Sequence, residues 1–205
     1  MSERPISTAA DLRALYGEPS TLVQRKVLPR LDRHCRDFVA RSPFLVLGTS
    51  DAQGNQDVSP RGDPPGFVKV LDDGHLAVPD RPGNRRVDFF ANITQNPKVA
   101  LLFMVPGFDE TVRVNGRAEL TRDPALLDLL AVGGKPALAA LLVEVEEAFF
   151  QCAKALIRSA LWDPASRVDR KVMPSLGRIV AEQIEGTDPV EADAAIERSI
   201  RDRLY

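Results

Sequence analysis

Two arginines stand side by side in the stretch LAVPDRPGNRRVDFF, residues 76–90, where Arg85 and Arg86 follow Asn84. A guanidinium presents a planar fork of donors that matches phosphate or carboxylate oxygens, so an adjacent pair is a candidate anion cradle. Leu76 to Val78 read as the end of a buried strand, and Pro79, Pro82 and Gly83 then break any ladder. Asn84 opens what reads as a helix running to Gln95, with both arginines on its first turn. Cations there face the positive end of the macrodipole, which is locally unfavourable. An anion held between them and the free helix-start amides removes that conflict. The alternative is an exposed first turn whose arginines reach into water. A second strand end has the same character: DVSPRGDPPGF places Ser59 and Arg61 ahead of a rigid Gly/Pro loop. If both strand ends lie on one side of a sheet, Arg61, Asn84, Arg85 and Arg86 converge into a phosphate site.

Other chemistries find less support. The chain has no G-x-S-x-G, no H-E-x-x-H and no P-loop, and its glycines form no G-x-G-x-x-G after a strand. Glu144 and Glu146 share one face of a strand, which makes them a solvated edge rather than a catalytic carboxylate pair. His34, expected to be exposed on a helix, and His75, at a turn, are the only histidines, so no multi-histidine metal site is expected. Cys35 and Cys152 have no metal-ligand spacing and read as two buried thiols in a reducing compartment. No side chain stands out as a general acid or base, and no catalytic residue is named.

The elements that must position these groups follow from pattern. Of 205 residues 44% are hydrophobic and 27% charged, the composition of a globular domain. A net charge of −2 without charge blocks argues against a nucleic-acid or anionic-membrane partner. The N-terminus lacks a secretory pattern and the longest apolar run, KVALLFMVPG, is too short to span a bilayer, so a cytoplasmic protein is expected. Thr8 caps a first helix closed by Gly17, and Pro29 suits the first turn of a second, with Cys35, Phe38 and Val39 on one face. FLVLGTS with QDVSPR, and GFVKVL with HLAVP, read as hairpins, followed by strands KVALLFMV, ETVRVNGRAEL and LLVEVEEAFF. Asp123 caps a helix with Pro124 at its first position, and helices are expected at 151–162, 175–185 and 188–204. The fold class expected is mainly β with flanking helices (α+β), a six-stranded antiparallel split β-barrel. Its division is an N-terminal helical arm (1–42), a barrel domain (43–150) and a C-terminal helical extension (151–205).

The ordered set VSPRGDPPGFV, LAVPDRPGNRR, NITQNPKVALLF and ETVRVNGRAEL resembles the pyridoxamine 5′-phosphate oxidase-like flavoproteins, best the branch carrying PDRPGNRR, over roughly residues 43–150. The resemblance implies an FMN-binding split barrel that dimerises with itself, the flavin lying at the subunit interface. It implies an FMN-dependent oxidoreductase exchanging hydride or electrons with a small-molecule donor or acceptor; the alternative is a non-catalytic flavin- or haem-binding module. Related proteins bind deazaflavin or haem in the same barrel. By the same resemblance, Asn84, Arg85 and Arg86 hold the FMN phosphate, and Ser59 and Arg61 run beside the flavin. Val78, Pro79 and Asp80 turn their backbone to the ring. Thr111 stands where the family usually has glutamine, and Gln151, Lys154, Arg158 and Trp162 are candidates to reach the partner's flavin. The oxidase proper ends in a Trp- and Arg/His-rich segment that binds substrate phosphate; here VEADAAIERSIRDRLY has no histidine or tryptophan. Oxidation of pyridoxamine phosphate itself is therefore not expected.

Overall fold

The structure, a computed structural model, describes residues 6–205. Residues 1–5, the start of the N-terminal arm, lie outside the described residues. Three helices come first: α1 (Ala9–Tyr16), α2 (Thr21–Arg25) and α3 (Arg33–Arg41). Thr8 caps α1 through a capping box with Asp11, and Gly17 ends it at φ 72°. Asp32 caps α3 by accepting the Cys35 amide, so this helix starts four residues later than Pro29 suggests. Cys35, Phe38 and Val39 form its buried face.

The strands are β1 (Phe44–Ser50), β2 (Gln56–Gly62), β3 (Lys69–Val70), β4 (His75–Asp80), β5 (Lys98–Met104), β6 (Thr111–Thr121) and β7 (Ala139–Gln151). All are antiparallel, in the order β2-β1-β5-β6-β7-β4-β3. The expectation of a mainly β, antiparallel fold with flanking helices holds, but the sheet has seven strands, not six, and is not closed. Each of the seven segments read as strands forms one, GFVKVL included, though it is reduced to Lys69-Val70 by the turn that Pro64 and Gly66 impose ahead of it. Being so short, β3 pairs only with Leu76 and Ala77, so β4 runs on from Val78 to Asp80 with no neighbour on that edge.

Period-2 alternation builds the core. In β5, Val99, Leu101 and Phe103 point inward, and they join Leu45, Leu47, Val112, Val114, Val143 and the apolar face of α3 in one cluster. Burying such a side chain is worth about 1.5–3 kcal/mol each. Helix α4 (Asp88–Gln95) drops Phe89 and Ile93 into that cluster. Helix α5 (Pro124–Leu129), capped by Asp123, lays Leu127 over Ala77 and Ala140 in a second, smaller one.

After β7 come α6 (Lys154–Ser159), α7 (Leu176–Gln183) and α8 (Pro189–Asp202). The α7–α8 pair packs chiefly on itself, and α8 buries no residue. Among the described residues no helix is long and apolar enough to cross a membrane. One expectation about the cysteines fails: Cys35 is buried but Cys152 is exposed, because it lies just past the end of β7, before α6 begins.

Candidate functional site

A cleft of about 920 Å³ opens where the ends of β2 and β4 approach each other. That volume is within the usual size range of cofactor sites. The cleft brings together Ser59, Arg61, Pro79, Asp80, Asn84, Arg85 and Arg86, seven of the nine residues expected at the site. Val78 and Thr111 do not line it. Val78 is buried in the main core, and Thr111 is buried at the start of β6 opposite Gln151.

The cleft floor is an ion-paired seam. Arg61, on β2, reaches Asp80, on β4, at 3.0 Å. Two residues on, Asp63 accepts from Arg81 Nε at 2.8 Å, and Arg81 also donates to the carbonyl of Leu130 at 2.7 Å. The sequence therefore carries a complementary pair of charge patterns, Arg-Gly-Asp at 61–63 and Asp-Arg at 80–81, which clasp across the gap between the strands. Arg81 and Asp63 line the cleft although the sequence reading does not single them out, and this reciprocal spacing is the signal that points to them.

The Arg61–Asp80 pair is costly. Burial pushes the Arg61 pKa down and the Asp80 pKa up, and in each the attraction of the partner only partly offsets it. The Arg61 guanidinium stacks on the Phe89 ring at 3.8 Å, a cation–π contact, and its Nε is buried without a hydrogen-bond partner. A buried orphan donor beside an open cleft suits an arriving acceptor oxygen.

The rim differs from expectation. Helix α4 starts at Asp88, so Asn84, Arg85 and Arg86 lie in the loop before it rather than on its first turn. The cause is local: Arg85 adopts a left-handed φ of 64°, and Asn84 accepts the Arg86 amide in a tight turn. The conflict with the macrodipole disappears, since the first turn carries Asp88, which Arg86 pairs at 2.6 Å. Val87, at the N-cap, offers no side-chain cap, which leaves first-turn amides available to an anion. Among the described residues, Arg85 and Arg203 make no ion pair, so they are the rim's uncommitted cations. Phe67, Pro79, Val87, Phe89, Phe90 and Leu138 supply the apolar wall. The residues present thus fit a ligand with an anionic end and a flat apolar body.

The sequence model of the pyridoxamine 5′-phosphate oxidase family matches residues 31–152. The chain belongs to that family. Among solved structures, it is 27% identical to a pyridoxamine 5′-phosphate oxidase candidate from Lactobacillus delbrueckii, over 60% of this chain and 95% of that one, at a TM-score of 0.45. It is 18% identical to HupZ from Group A Streptococcus over 58% and 93% of the two chains (TM-score 0.46). It is 14% identical to an FMN-binding protein from Syntrophomonas wolfei over 57% and 83% (TM-score 0.44). No curated protein matches the chain. The part matched to the pyridoxamine 5′-phosphate oxidase family includes every cleft residue except Arg203, and stops before α6.

The remaining candidates lie elsewhere. Gln151 ends β7 exposed, Lys154 and Arg158 are exposed on α6, and Trp162 donates its indole N–H to the Phe108 carbonyl at 2.7 Å. His34 is exposed, and His75 leads β4 with its ring on the Asp72 carboxylate at 2.9 Å; neither lines the cleft. No group of three or more His, Cys, Asp or Glu among the described residues is arranged to hold a metal.

Proposed function

We propose that the protein is an FMN-dependent oxidoreductase, its flavin seated in the cleft between β2, β4 and α4. The carrying observation is Arg61, held beneath the cleft on Phe89 and Asp80 with an unsatisfied Nε, facing a rim built from Asn84, Arg85 and Arg86. Arg85, Arg86 and the first amides of α4 would hold the phosphate, Ser59 and Arg61 would lie along the flavin, and the β4 end at Val78–Asp80 would offer its unpaired backbone edge to the ring. The bound flavin would supply hydride or electron transfer with a small-molecule donor or acceptor. The protein's part is to fix the phosphate, exclude water with the apolar wall and polarise the ring by hydrogen bonds.

A homodimer belongs to this reading. Val58, Val87 and Leu138 border the cleft with 67%, 54% and 55% of their surface exposed, an apolar margin that a second copy would cover. Gln151 and Trp162, near the β6 start, with the exposed Lys154 and Arg158 of α6, would then face the flavin of the other subunit. Two unpaired thiols suit the reducing cytoplasm. The haem version of the alternative lacks a histidine in the cleft, and a non-catalytic flavin module remains the competing reading.

The test is an absorption spectrum after incubation with excess FMN and desalting. Retention of the flavin bands, and their loss in Arg85→Ala/Arg86→Ala, is the expected result; no retention by the wild type sinks the proposal. Reduction of the retained flavin by a nicotinamide or deazaflavin donor within seconds separates the enzyme from the module.

A further inference from the structure

The C-terminal segment returns to the cleft from outside the region shared with the family. Helices α7 and α8 form a hairpin in which Gly177 lies so close to Asp193 that a Cβ there would overlap it. Asp193 takes the Gly177 amide at 2.8 Å and the Ser175 hydroxyl, which locks the two helices together. The hairpin as a unit is only lightly attached to the barrel, since α8 buries no residue of its own. Segments with so few buried contacts open at low free-energy cost.

The attachment at its far end is specific. The Tyr205 hydroxyl donates to Asp63 Oδ1 at 2.7 Å, while Asp63 Oδ2 accepts from Arg81 Nε. The Tyr205 ring lies 5.9 Å from the Arg81 guanidinium, and the Asp63 side chain is only 2% exposed. Two residues before Tyr205, Arg203 lines the cleft as one of its uncommitted cations. The same clasp that closes the β2–β4 seam therefore also holds the C-terminal hairpin.

We propose that the α7–α8 hairpin is a lid on the cleft, latched by the Tyr205–Asp63 hydrogen bond, which brings Arg203 to the anionic end of the bound ligand. This inference rests on the reading of the cleft as a flavin site for the ligand's identity, but the latch itself does not. Opening the latch would free the mouth of the cleft for the ligand to pass. Closing it would place Arg203 on the wall of the cleft that also carries Arg85 and Arg86, so that a bound anion and a closed lid favour each other.

The test compares the wild type with Tyr205→Phe, which removes only the latch hydroxyl. Amide hydrogen exchange across residues 189–205 is measured on the flavin-free proteins, and FMN release is followed by recovery of flavin fluorescence. A hydrogen bond to a charged group lost from the closed state should speed both exchange of the segment and FMN release by about tenfold. Unchanged exchange in Tyr205→Phe overturns the latch. Faster exchange with unchanged FMN release overturns the lid, leaving Tyr205 as an anchor alone. If the wild type takes up no FMN, the flavin reading falls, and the exchange arm by itself decides the latch.

Discussion

Arg61 and Asp80 stand on strands near opposite ends of the sheet order, yet their side chains meet at 3.0 Å, each only 15% exposed. The ion pair bridges a gap with no backbone ladder across it. Removing one partner of a buried pair leaves the other charge uncompensated, whereas replacing both with apolar groups is often neutral or stabilising. Arg61→Ala should therefore destabilise the protein by about 3–5 kcal/mol. Arg61→Met/Asp80→Leu should recover most of that loss in urea unfolding. Both variants should fail to retain FMN, and that separation would show the seam to be kept for ligand binding rather than for stability.

The same pair has a pH signature. Burial holds the Asp80 pKa above its usual carboxylate value, with Arg61 and Arg81 only partly opposing it. A carboxyl whose folded pKa is raised contributes stability fully below its unfolded pKa and loses that contribution as pH rises through the folded value. The stability difference between wild type and Asp80→Asn should therefore shrink as pH rises through the raised Asp80 pKa. Asp32 behaves oppositely: burial raises its pKa, but accepting the Cys35 and His34 amides and the nearby His34 charge lower it overall, so its contribution is lost as pH falls. A wild-type advantage over Asp80→Asn that grows with pH would mean that Arg61 attraction outweighs burial.

How much of this was legible follows the range of each interaction. FLVLGTS coincides with β1, and Thr8, Asp123 and Pro124 mark helix starts that the structure reproduces, because alternation and capping are local. The Arg85–Arg86 pair is plain in the sequence, but α4 starts four residues after Asn84, since nothing in the composition announces that Arg85 takes a left-handed φ. The α2 helix, capped by Ser20, carries no buried residue and so left no apolar periodicity to read. The Arg-Gly-Asp and Asp-Arg patterns hint at Asp63 and Arg81, but the Tyr205 contact spans 142 positions of sequence and exists only once the seam and the hairpin are folded.

That left-handed Arg85 itself predicts a trade. A non-glycine residue at positive φ stores strain of about 1–2 kcal/mol, and glycine adopts the conformation freely. Arg85→Gly should leave stability unchanged or raise it by about 1 kcal/mol, while FMN affinity falls about tenfold with the lost cation. Thermal unfolding and flavin titration on the same preparation check both halves. A loss of stability would mean that the Arg85 side chain holds the loop together.

The two thiols should differ in reactivity. Burial, with a smaller effect from Asp32, pushes the Cys35 thiol up to about 12, while Cys152 is exposed beyond β7. Since the thiolate is the nucleophile, a disulfide reagent at neutral pH should label one thiol in the native protein and two in urea. Labelling of the native Cys152→Ser variant would show that the α3 face opens under native conditions.

Gly116 is the sheet glycine at which an added Cβ would come closest to neighbouring backbone, and it offers the control for every site variant above. Between Asn115 and Gly116 the β6–β7 register shifts: Asn115 pairs with Glu147 and Gly116 with Val145, which leaves Glu146 unopposed in a bulge. A Cβ at residue 116 would overlap the carbonyl oxygen of Glu144 and press on its carbonyl carbon at 3.0 Å. The obstacle is backbone in the longest strand, so no side-chain rotation relieves it. Gly116→Ala should therefore cost about 3 kcal/mol and lower the unfolding temperature. Gly116 does not line the cleft, so FMN retention below the transition should persist. That pattern, stability lost and binding kept, is the reverse of the one expected for Arg85→Gly, and finding both would place ligand recognition at the β2–β4 seam rather than in the overall integrity of the sheet.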